Sequence, residues 1–150
     1  SEPFRLDQLA QQVMADLTPD ALRRGQTLEL LAPEAIEIHG QSTLWQILLR
    51  NLIDNALRYS PDGSVVRIEA QRLDPRHVQV TVQDSGPGLA SADMARLGER
   101  FFRVLGNSAT GSGLGWSIVR HIASLQQVEV QVGKSADLGG LQVTLRYPHA

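Results

Sequence analysis

Three short segments of this 150-residue chain combine residue types that could hold a phosphorylated ligand. In the first segment Asn51, Asn55 and Arg58 are spaced i, i+4 and i+7, so on a helix they project from one face. A carboxamide oxygen can ligate Mg²⁺, and a guanidinium can neutralise a phosphate. The alternative is a solvated polar face, and this segment alone favours that alternative.

The second segment places a carboxylate at the end of a predicted strand. Asp84 continues the alternation of Val78, Val80 and Val82, so its side chain is expected to point towards a layer of helices. Ser85-Gly86-Pro87-Gly88 follows directly, and glycines let a backbone approach a ligand closely. This combination suits a flat base with an exocyclic amine, although an Asp in a Gly-Pro turn is also common.

The third segment, Gly111-Ser112-Gly113-Leu114-Gly115, opens a predicted helix. Free N–H groups at a helix N-terminus form an anion site, but a flexible connection is the commoner use of such a glycine-rich turn. A Walker A loop is excluded because no Lys follows the glycines. A dinucleotide fold is disfavoured because no strand leads directly into them.

A basic and aromatic stretch, Glu99-Arg100-Phe101-Phe102-Arg103, lies between the second and third segments. Residues 104–112 follow it and contain almost nothing to bury, so they are predicted to form a mobile loop. Coincidence of all four motifs in this order is improbable.

The elements that position these motifs follow from apolar spacing. A helical period predicts helices over residues 6–17, from Ser42 or Thr43 to about Ser60, and over residues 113–127. The second and third helices are predicted to bury these residues: Leu44, Ile47, Leu48, Leu52, Ile53, Leu114, Ile118, Ile122 and Leu125. Alternation predicts strands over residues 27–31, 35–39, 66–70, 78–82, 128–132 and 141–145. Together they predict a two-layer α/β sandwich, in which about three helices cover one face of a mixed, mostly antiparallel sheet.

Composition limits the possible functions. A hydrophobic content of 42% suits a single domain over residues 1–150, and a net charge of −2 gives no general nucleic-acid surface. The chain has no cysteine, which excludes disulfides and thiolate zinc sites. No apolar run approaches the roughly 18 residues of a membrane span. The abrupt start at Ser1-Glu2-Pro3-Phe4 is typical of a piece of a longer protein.

The four motifs resemble the boxes of the catalytic domain of sensor histidine kinases, within the superfamily that includes gyrase, Hsp90 and MutL. The N box is similar to residues 46–60, the G1 box to residues 84–89, the F box to residues 99–103 and the G2 box to residues 111–115. A weaker terminal glycine motif is Gly139-Gly140-Leu141. The resemblance covers roughly residues 25–147, and the N and F boxes are similar to those of the QseC-like subgroup.

This resemblance implies the Bergerat ATP-binding fold, with ATP and Mg²⁺ as ligands. It implies that Asp84 accepts a hydrogen bond from the adenine amine, that Asn55 ligates Mg²⁺, and that Asn51 and Arg58 serve the phosphates as catalytic residues. Residues 104–112 would be the ATP lid. The other implied nucleotide contacts are Tyr59, Gly86, Gly88, Leu89, Arg103, Gly111, Ser112, Gly113, Leu114 and Gly115.

One residue departs from the family pattern. Trp116 stands where the family usually has Leu. Its larger ring could repack the lid hinge or crowd the adenine end of the site. We expect the ring to be tolerated if it lies over the core.

Three functions remain open at this point. A histidine kinase domain is favoured over a clamp-type ATPase, because those ATPases resemble this chain but place a Glu where Asn51 stands, and an amide has no useful basicity. A degenerate nucleotide-binding interaction module is the third hypothesis. The chain is therefore expected to donate the ATP γ-phosphate to a histidine that it does not itself contain, since none of its four histidines lies in a His-Glu-x-x-x-Pro motif.

The expected partners follow from the resemblance. They are a dimerisation domain that carries the phosphoacceptor histidine, to which residues 1–20 would be a helical lead-in, and a response regulator downstream. Phe101 and Phe102 would either dock on that domain or pack under the lid. No nucleic acid and no direct membrane contact are expected. The parent protein is expected to be a bacterial inner-membrane sensor kinase with this domain in the cytoplasm.

Overall fold

The structure, a computed structural model, describes residues 1–97 and 114–148 of the chain. They form a two-layer α/β sandwich, in which helices cover one face of a sheet, as predicted. The elements in chain order are β1 (Glu2–Arg5), α1 (Leu6–Arg23), β2 (Thr27–Leu31), β3 (Glu37–Gly40), α2 (Ser42–Tyr59), β4 (Val65–Arg72), β5 (Val78–Asp84), α3 (Ser91–Arg96), α4 (Leu114–Gln126), β6 (Glu129–Lys134) and β7 (Leu141–Tyr147).

Among the described residues, the main sheet has five strands in the order β2-β4-β5-β7-β6. Only the edge pair β2–β4 is parallel, and the other neighbours are antiparallel, which confirms the prediction of a mixed, mostly antiparallel sheet. β1 and β3 form a separate antiparallel pair. β1 was not predicted, because its sequence EPFR has no apolar alternation and its conformation comes from pairing with β3.

The two faces of the sheet differ in polarity. Alternate residues such as Val66, Ile68 and Val80 are buried under the helices. On the other face polar side chains pair across strands, as Arg67 does with Glu29 at 2.8 Å. Asp84 lies opposite the buried Val66 in the β4–β5 register, which confirms the strand parity that places it with the core-facing residues.

One helix is longer than the sequence predicts, and one described helix was not predicted. α1 continues past residue 17 to Arg23 with Pro19 inside it. α3 was missed, because it spans only six residues and buries none of them. Neither Ser42 nor Thr43 caps α2, whose N-cap is Gln41 without a side-chain cap; Ser42 Oγ instead donates to Glu2 at 2.7 Å.

The prediction that Ile47 is buried was wrong. Ile47 is 38% exposed, whereas Trp45 is completely buried. The core-facing stripe of α2 is wider than predicted and lies slightly to one side, because α1, α4 and the sheet all pack against this helix. Its buried members are Trp45, Leu48, Leu49, Leu52, Ile53 and Leu57.

The predicted burial of Ile118 and Leu125 in α4 was also wrong, since they are 39% and 57% exposed. Ile122 is buried, as predicted. The reason is that Gly115 lies close against α2, so the face of α4 that carries Gly115 also faces α2. Val119 and Ile122, four and seven residues after Gly115, share that face. The buried residues of α4 are therefore Trp116, Val119, Ile122 and Ala123.

The junction of β1 and α1 is fixed by an ion pair. Arg5 donates to both carboxylate oxygens of Asp7, at 2.8 and 2.6 Å. Asp7 Oδ1 also accepts the backbone N–H of Ile36 at 3.0 Å, which ties the start of α1 to the segment before β3. The hydrogen bonds from Arg5 lower the pKa of Asp7 to about 2, although burial opposes that shift.

This pKa shift predicts how stability depends on pH. The folded pKa lies below the ordinary 3.8, so the carboxylate stabilises the fold above about pH 4. That contribution is lost as the pH falls from about 4 towards 2. We expect Asp7→Asn to lower the free energy of unfolding by about 2 kcal/mol at pH 7. Urea unfolding of wild type and Asp7→Asn should show the difference in their free energies of unfolding decreasing below pH 4.

The control is Asp137→Asn, which removes an exposed carboxylate from a turn. It should leave the free energy of unfolding almost unchanged at each pH. A gap between wild type and Asp7→Asn that persists at its full size near pH 2 would contradict the assignment.

Candidate functional site

The centre of the candidate site is Asp84, at the end of β5. Its Oδ1 accepts the backbone N–H of Gly86 at 3.0 Å and of Leu141 at 3.2 Å. Within the described part of the chain, Oδ2 accepts no hydrogen bond and remains available to a ligand. Burial raises the pKa of Asp84, and the two N–H bonds oppose that shift.

The turn between β6 and β7 closes against Asp84. Gly140 donates its N–H to the backbone oxygen of Asp84 at 3.0 Å. A Cβ at Gly140 would overlap Asp84 Oδ1 and would lie 2.5 Å from Asp84 O and 2.8 Å from Gly86 N. Glycine is therefore the residue that this contact permits. The weak terminal glycine motif of the sequence thus belongs to the same site as the G1 segment.

Asn51 and Asn55 of α2 face the start of α4, as the order of the motifs led us to expect. A Cβ at Gly115 would lie 3.0 and 3.1 Å from the two amide atoms of Asn55, and 3.5 Å from Asn51 Oδ1. Asn51 Nδ2 donates to Ile47 O at 2.8 Å. Asn55 Nδ2 is buried without a hydrogen-bond partner among residues 1–97 and 114–148.

Arg58 and Tyr59 lie one turn further along α2. Arg58 is exposed and pairs with Asp54 at 3.0 Å, an i, i+4 contact on the outer face of the helix. Tyr59 is half-buried. The structure thus brings Asn51 and Asn55 against the glycines, and places Arg58 at the rim.

Ser60 is part of the site, although sequence reasoning treated it only as the end of the N box. It is 2% exposed, and its hydroxyl has no partner within the described ranges. A Cβ at Gly86 would lie 3.1 Å from both Ser60 Oγ and Asp84 Oδ1, so the end of α2 touches the G1 segment. A serine before a Pro-Asp-Gly turn carries no signal that would have revealed this contact.

The remaining described glycine of the G1 segment has a conformational role. Gly88 has φ +71°, which a side chain disfavours, and a Cβ there would lie 3.6 Å from the carbonyl carbon of Gly140. Leu89 beside it is half-buried. Both residues thus border the Asp84 end of the site.

Several predicted residues lie outside the described residues. They are the F-box residues 99–103 with Arg103, the lid residues 104–112, and Gly111, Ser112 and Gly113. Leu114 is described only as the first residue of α4. Their assignments stay predictions.

Trp116 packs into the core and is 7% exposed. The guanidinium of Arg120 lies over its ring, 5.7 Å from the centroid, and Arg120 Nε donates to Leu97 O at 3.2 Å. The larger ring therefore lies over the core, the condition under which the sequence predicts tolerance. The same cluster ties α4 to the end of α3.

The arrangement has the polarity of a nucleotide site. A buried carboxylate whose Oδ2 has no partner among the described residues suits an exocyclic amine, and the amides of Asn51 and Asn55 lie at the α2–α4 contact. No three His, Asp or Glu side chains of the described segments converge on a possible metal position. No helix in these segments is long and apolar enough to cross a bilayer.

Comparisons with known proteins give consistent matches. A family model described as Histidine kinase-, DNA gyrase B-, and HSP90-like ATPase matches residues 40–150. The sensor protein QseC of Salmonella typhi is 42% identical over 144 residues, and the match covers 95% of this chain but only 30% of QseC. The chain thus spans less than a third of the length of this curated relative.

Two solved structures extend the comparison. The mycobacterial sensor histidine kinase MprB superposes with a TM-score of 0.88 at 25% identity, covering 99% of this chain and 98% of that one. Full-length ShkA in complex with AMPPNP superposes with a TM-score of 0.85 at 26% identity, covering 99% of this chain and 31% of ShkA.

Proposed function

Because the chain belongs to the family of histidine kinase-, DNA gyrase B- and HSP90-like ATPases, we propose that it acts as the ATP-binding catalytic domain of a sensor histidine kinase. In that role it donates the ATP γ-phosphate to a histidine on a separate dimerisation domain. The observation that carries this proposal is the buried Asp84, whose Oδ1 accepts two backbone N–H groups and whose Oδ2 has no partner among the residues that the structure describes. Oδ2 accepts a hydrogen bond from the adenine amine.

The side-chain oxygen of Asn55 is a ligand type that a magnesium site shared with the phosphates could use. Mg²⁺ often takes one or two protein oxygens together with substrate phosphates, and so needs no acidic cluster. The side chain of Asn55 lies at the α2–α4 contact, where its amide nitrogen has no partner in the described segments. When bound, Mg²⁺ would neutralise charge on the phosphates. The ShkA complex with the ATP analogue AMPPNP supports a nucleotide in this fold.

Asn51 separates the kinase from an ATP-hydrolysing enzyme. Its amide cannot take a proton from water, and its N–H₂ donates within α2 to Ile47 O. Phosphoryl transfer depends mainly on positioning and charge neutralisation, which Asn51 and Arg58 provide at the phosphates. A nucleophile supplied by another domain completes the reaction.

The rest of the proposal follows the family. The other residues that contact the nucleotide are Tyr59, Gly86, Gly88, Leu89, Arg103, Gly111, Ser112, Gly113, Leu114 and Gly115, and residues 104–112 form the lid. A response regulator receives the phosphoryl group from the dimerisation domain. The parent protein is a bacterial inner-membrane sensor kinase with this domain on its cytoplasmic side and without direct membrane contact.

Calorimetry with Mg²⁺-ATP tests the proposal. We expect micromolar binding by the 150-residue chain and no steady ATP hydrolysis. Asn55→Asp should weaken binding about tenfold and change its Mg²⁺ dependence, because it places a negative charge beside the phosphates and replaces an amide ligand of the ion by a carboxylate. Gln71→Glu makes the same amide-to-acid change at an exposed end of β4 and should leave both unchanged.

The transfer step needs a second measurement. With γ-labelled ATP, label should reach a histidine only when the parent's dimerisation domain is added. Absence of ATP binding would overturn the proposal in favour of an interaction module. Steady turnover of ATP by the isolated chain would instead favour the clamp-type ATPase.

A further inference from the structure

The last carbonyl groups of α2 lack backbone N–H donors. Leu57 C=O would normally accept the N–H of the residue four positions later, but that residue is Pro61, which has none. The C-cap residue Ser60 is extended, with φ −101° and ψ 144°. The carbonyl groups at this helix end therefore need donors from elsewhere in the chain.

Two side chains from the connection between α1 and β2 supply those donors. Arg24 donates from Nη1 to Leu57 O at 2.6 Å and from Nη2 to Ser60 O at 2.8 Å. Gln26 Nε2 lies 2.9 Å from Leu57 O, 3.1 Å from Ser60 O and 3.3 Å from Pro61 O. We call Arg24 and Gln26 the α2 clamp.

The end of α1 sets the position of both clamp residues. Gly25 has φ +63° and donates its N–H to Leu22 O, while Gln26 donates its N–H to Ala21 O. This pair of bonds is the Schellman motif, in which the left-handed residue is usually glycine. The motif that ends α1 thus places Arg24 and Gln26, on either side of Gly25, so that both side chains reach the end of α2.

The chemistry of the clamp suits a helix C-terminus. A guanidinium presents a rigid fork that can donate to two carbonyl oxygens at once, and a cation is favourable beside the negative end of a helix dipole. Gln26 is 5% exposed, and its Oε1 is buried without a partner within the described segments. A buried unpaired oxygen lowers stability, which offsets part of what the hydrogen bonds from Gln26 Nε2 contribute.

We propose that Arg24 and Gln26 are positioning residues of the nucleotide site. They hold the turn of α2 that carries Arg58, Tyr59 and Ser60, and Ser60 in turn lies against the Gly86 backbone beside Asp84. This inference rests on the proposed function of α2 as a nucleotide-binding helix. It adds two residues that make no contact with the nucleotide.

The test compares Arg24→Met with two controls in the 150-residue chain. Arg24→Met keeps an unbranched stem but removes the fork, and Arg24→Lys keeps a single donor. Val13→Ala weakens the core of α1 far from the clamp, and supplies a variant with a comparable loss of thermal stability. Asp62→Ala removes only the exposed partner of Arg24 Nε, at 3.3 Å.

Two quantities are measured for each variant: ATP affinity by calorimetry, and amide hydrogen exchange of the last turn of α2. We expect Arg24→Met to weaken ATP binding about tenfold and to lose amide protection selectively between residues 57 and 60. Arg24→Lys should recover part of both. Asp62→Ala should match wild type, since exposed ion pairs contribute little.

The outcomes separate the two proposals. If Arg24→Met loses no more affinity than Val13→Ala at equal loss of thermal stability, the clamp has no positioning role and the inference is overturned. Uniform exchange across α2 in Arg24→Met would overturn it as well. If wild type does not bind ATP, the proposed function fails, and this inference about a nucleotide site fails with it; the exchange data then show only whether the clamp orders the helix end.

Discussion

Asp84→Asn is expected to weaken ATP binding about a hundredfold while narrowing the preference for ATP over inosine triphosphate. The two N–H groups of Gly86 and Leu141 already bond to Oδ1. In the variant they orient the amide oxygen towards themselves, so the N–H₂ group takes the place of Oδ2. The N–H₂ group of the variant then faces the amine of adenine, and both are donors. The carbonyl oxygen of inosine would instead accept a hydrogen bond from that N–H₂ group.

Calorimetry with both nucleotides checks this expectation, and unfolding in urea checks that the variant is folded. Burial raises the pKa of Asp84, so at neutral pH the ionised carboxylate costs stability in the folded state. Removing that charge should leave the variant at least as stable as wild type. Asp137→Asn serves as the surface control. A variant that loses affinity equally for ATP and inosine triphosphate would argue against direct recognition of the base by Asp84.

Gly140→Ala is expected to have the second large effect, because it damages both the fold and the site. The added methyl group would overlap Asp84 Oδ1 and crowd the backbone atoms Asp84 O and Gly86 N. Backbone atoms cannot rotate away as a flexible side chain can, so the β6–β7 turn has to move. We expect a loss of about 3 kcal/mol in the free energy of unfolding, together with loss of ATP binding.

Gly133→Ala is the matched control, because a Cβ at Gly133 would meet no atom within 4 Å. It should retain ATP affinity and nearly all of the stability. Stability is measured by urea unfolding and affinity by calorimetry under conditions in which both variants are folded. If Gly140→Ala retained its ATP affinity, the turn between β6 and β7 would be able to move without displacing Asp84, and the expected loss of binding would be wrong.

The sequence predicted the sheet and the direction of Asp84 well, because both depend on local alternation. A strand parity extended by two residues was enough to place that carboxylate on the buried face. The order of the four motifs also predicted the family, and with it the meeting of Asn55 and Gly115 across sixty residues. Such a meeting cannot be obtained from local periodicity.

The errors arose where contacts between distant elements decide the outcome. Ile118 and Leu125 have helical spacing suited to burial, but the close approach of Gly115 to α2 turns a different face inward. Ser60, Arg24 and Gln26 gave no local signal, since their contacts depend on how α1, α2 and the G1 segment meet. The missing N–H of Pro61 was the one sequence clue to the clamp. It indicates only that Leu57 O needs another donor, and the structure is needed to identify Arg24 and Gln26 as the donors.

The small pairing of β1 with β3 determines how the domain responds to a pull on its N-terminus. Glu2 pairs with Gly40 and Arg5 with Glu37, in antiparallel register. A pull on Ser1 directed across the two strands would load these pairs one after another, beginning with Glu2 and Gly40, and would separate β1 from β3 before the force reached α1. Separation of the four residues of β1 would release about 14 Å of chain, and the next contacts would be the hydrogen bonds from Leu6 N–H to Ile36 O and from Ile36 N–H to Asp7 Oδ1.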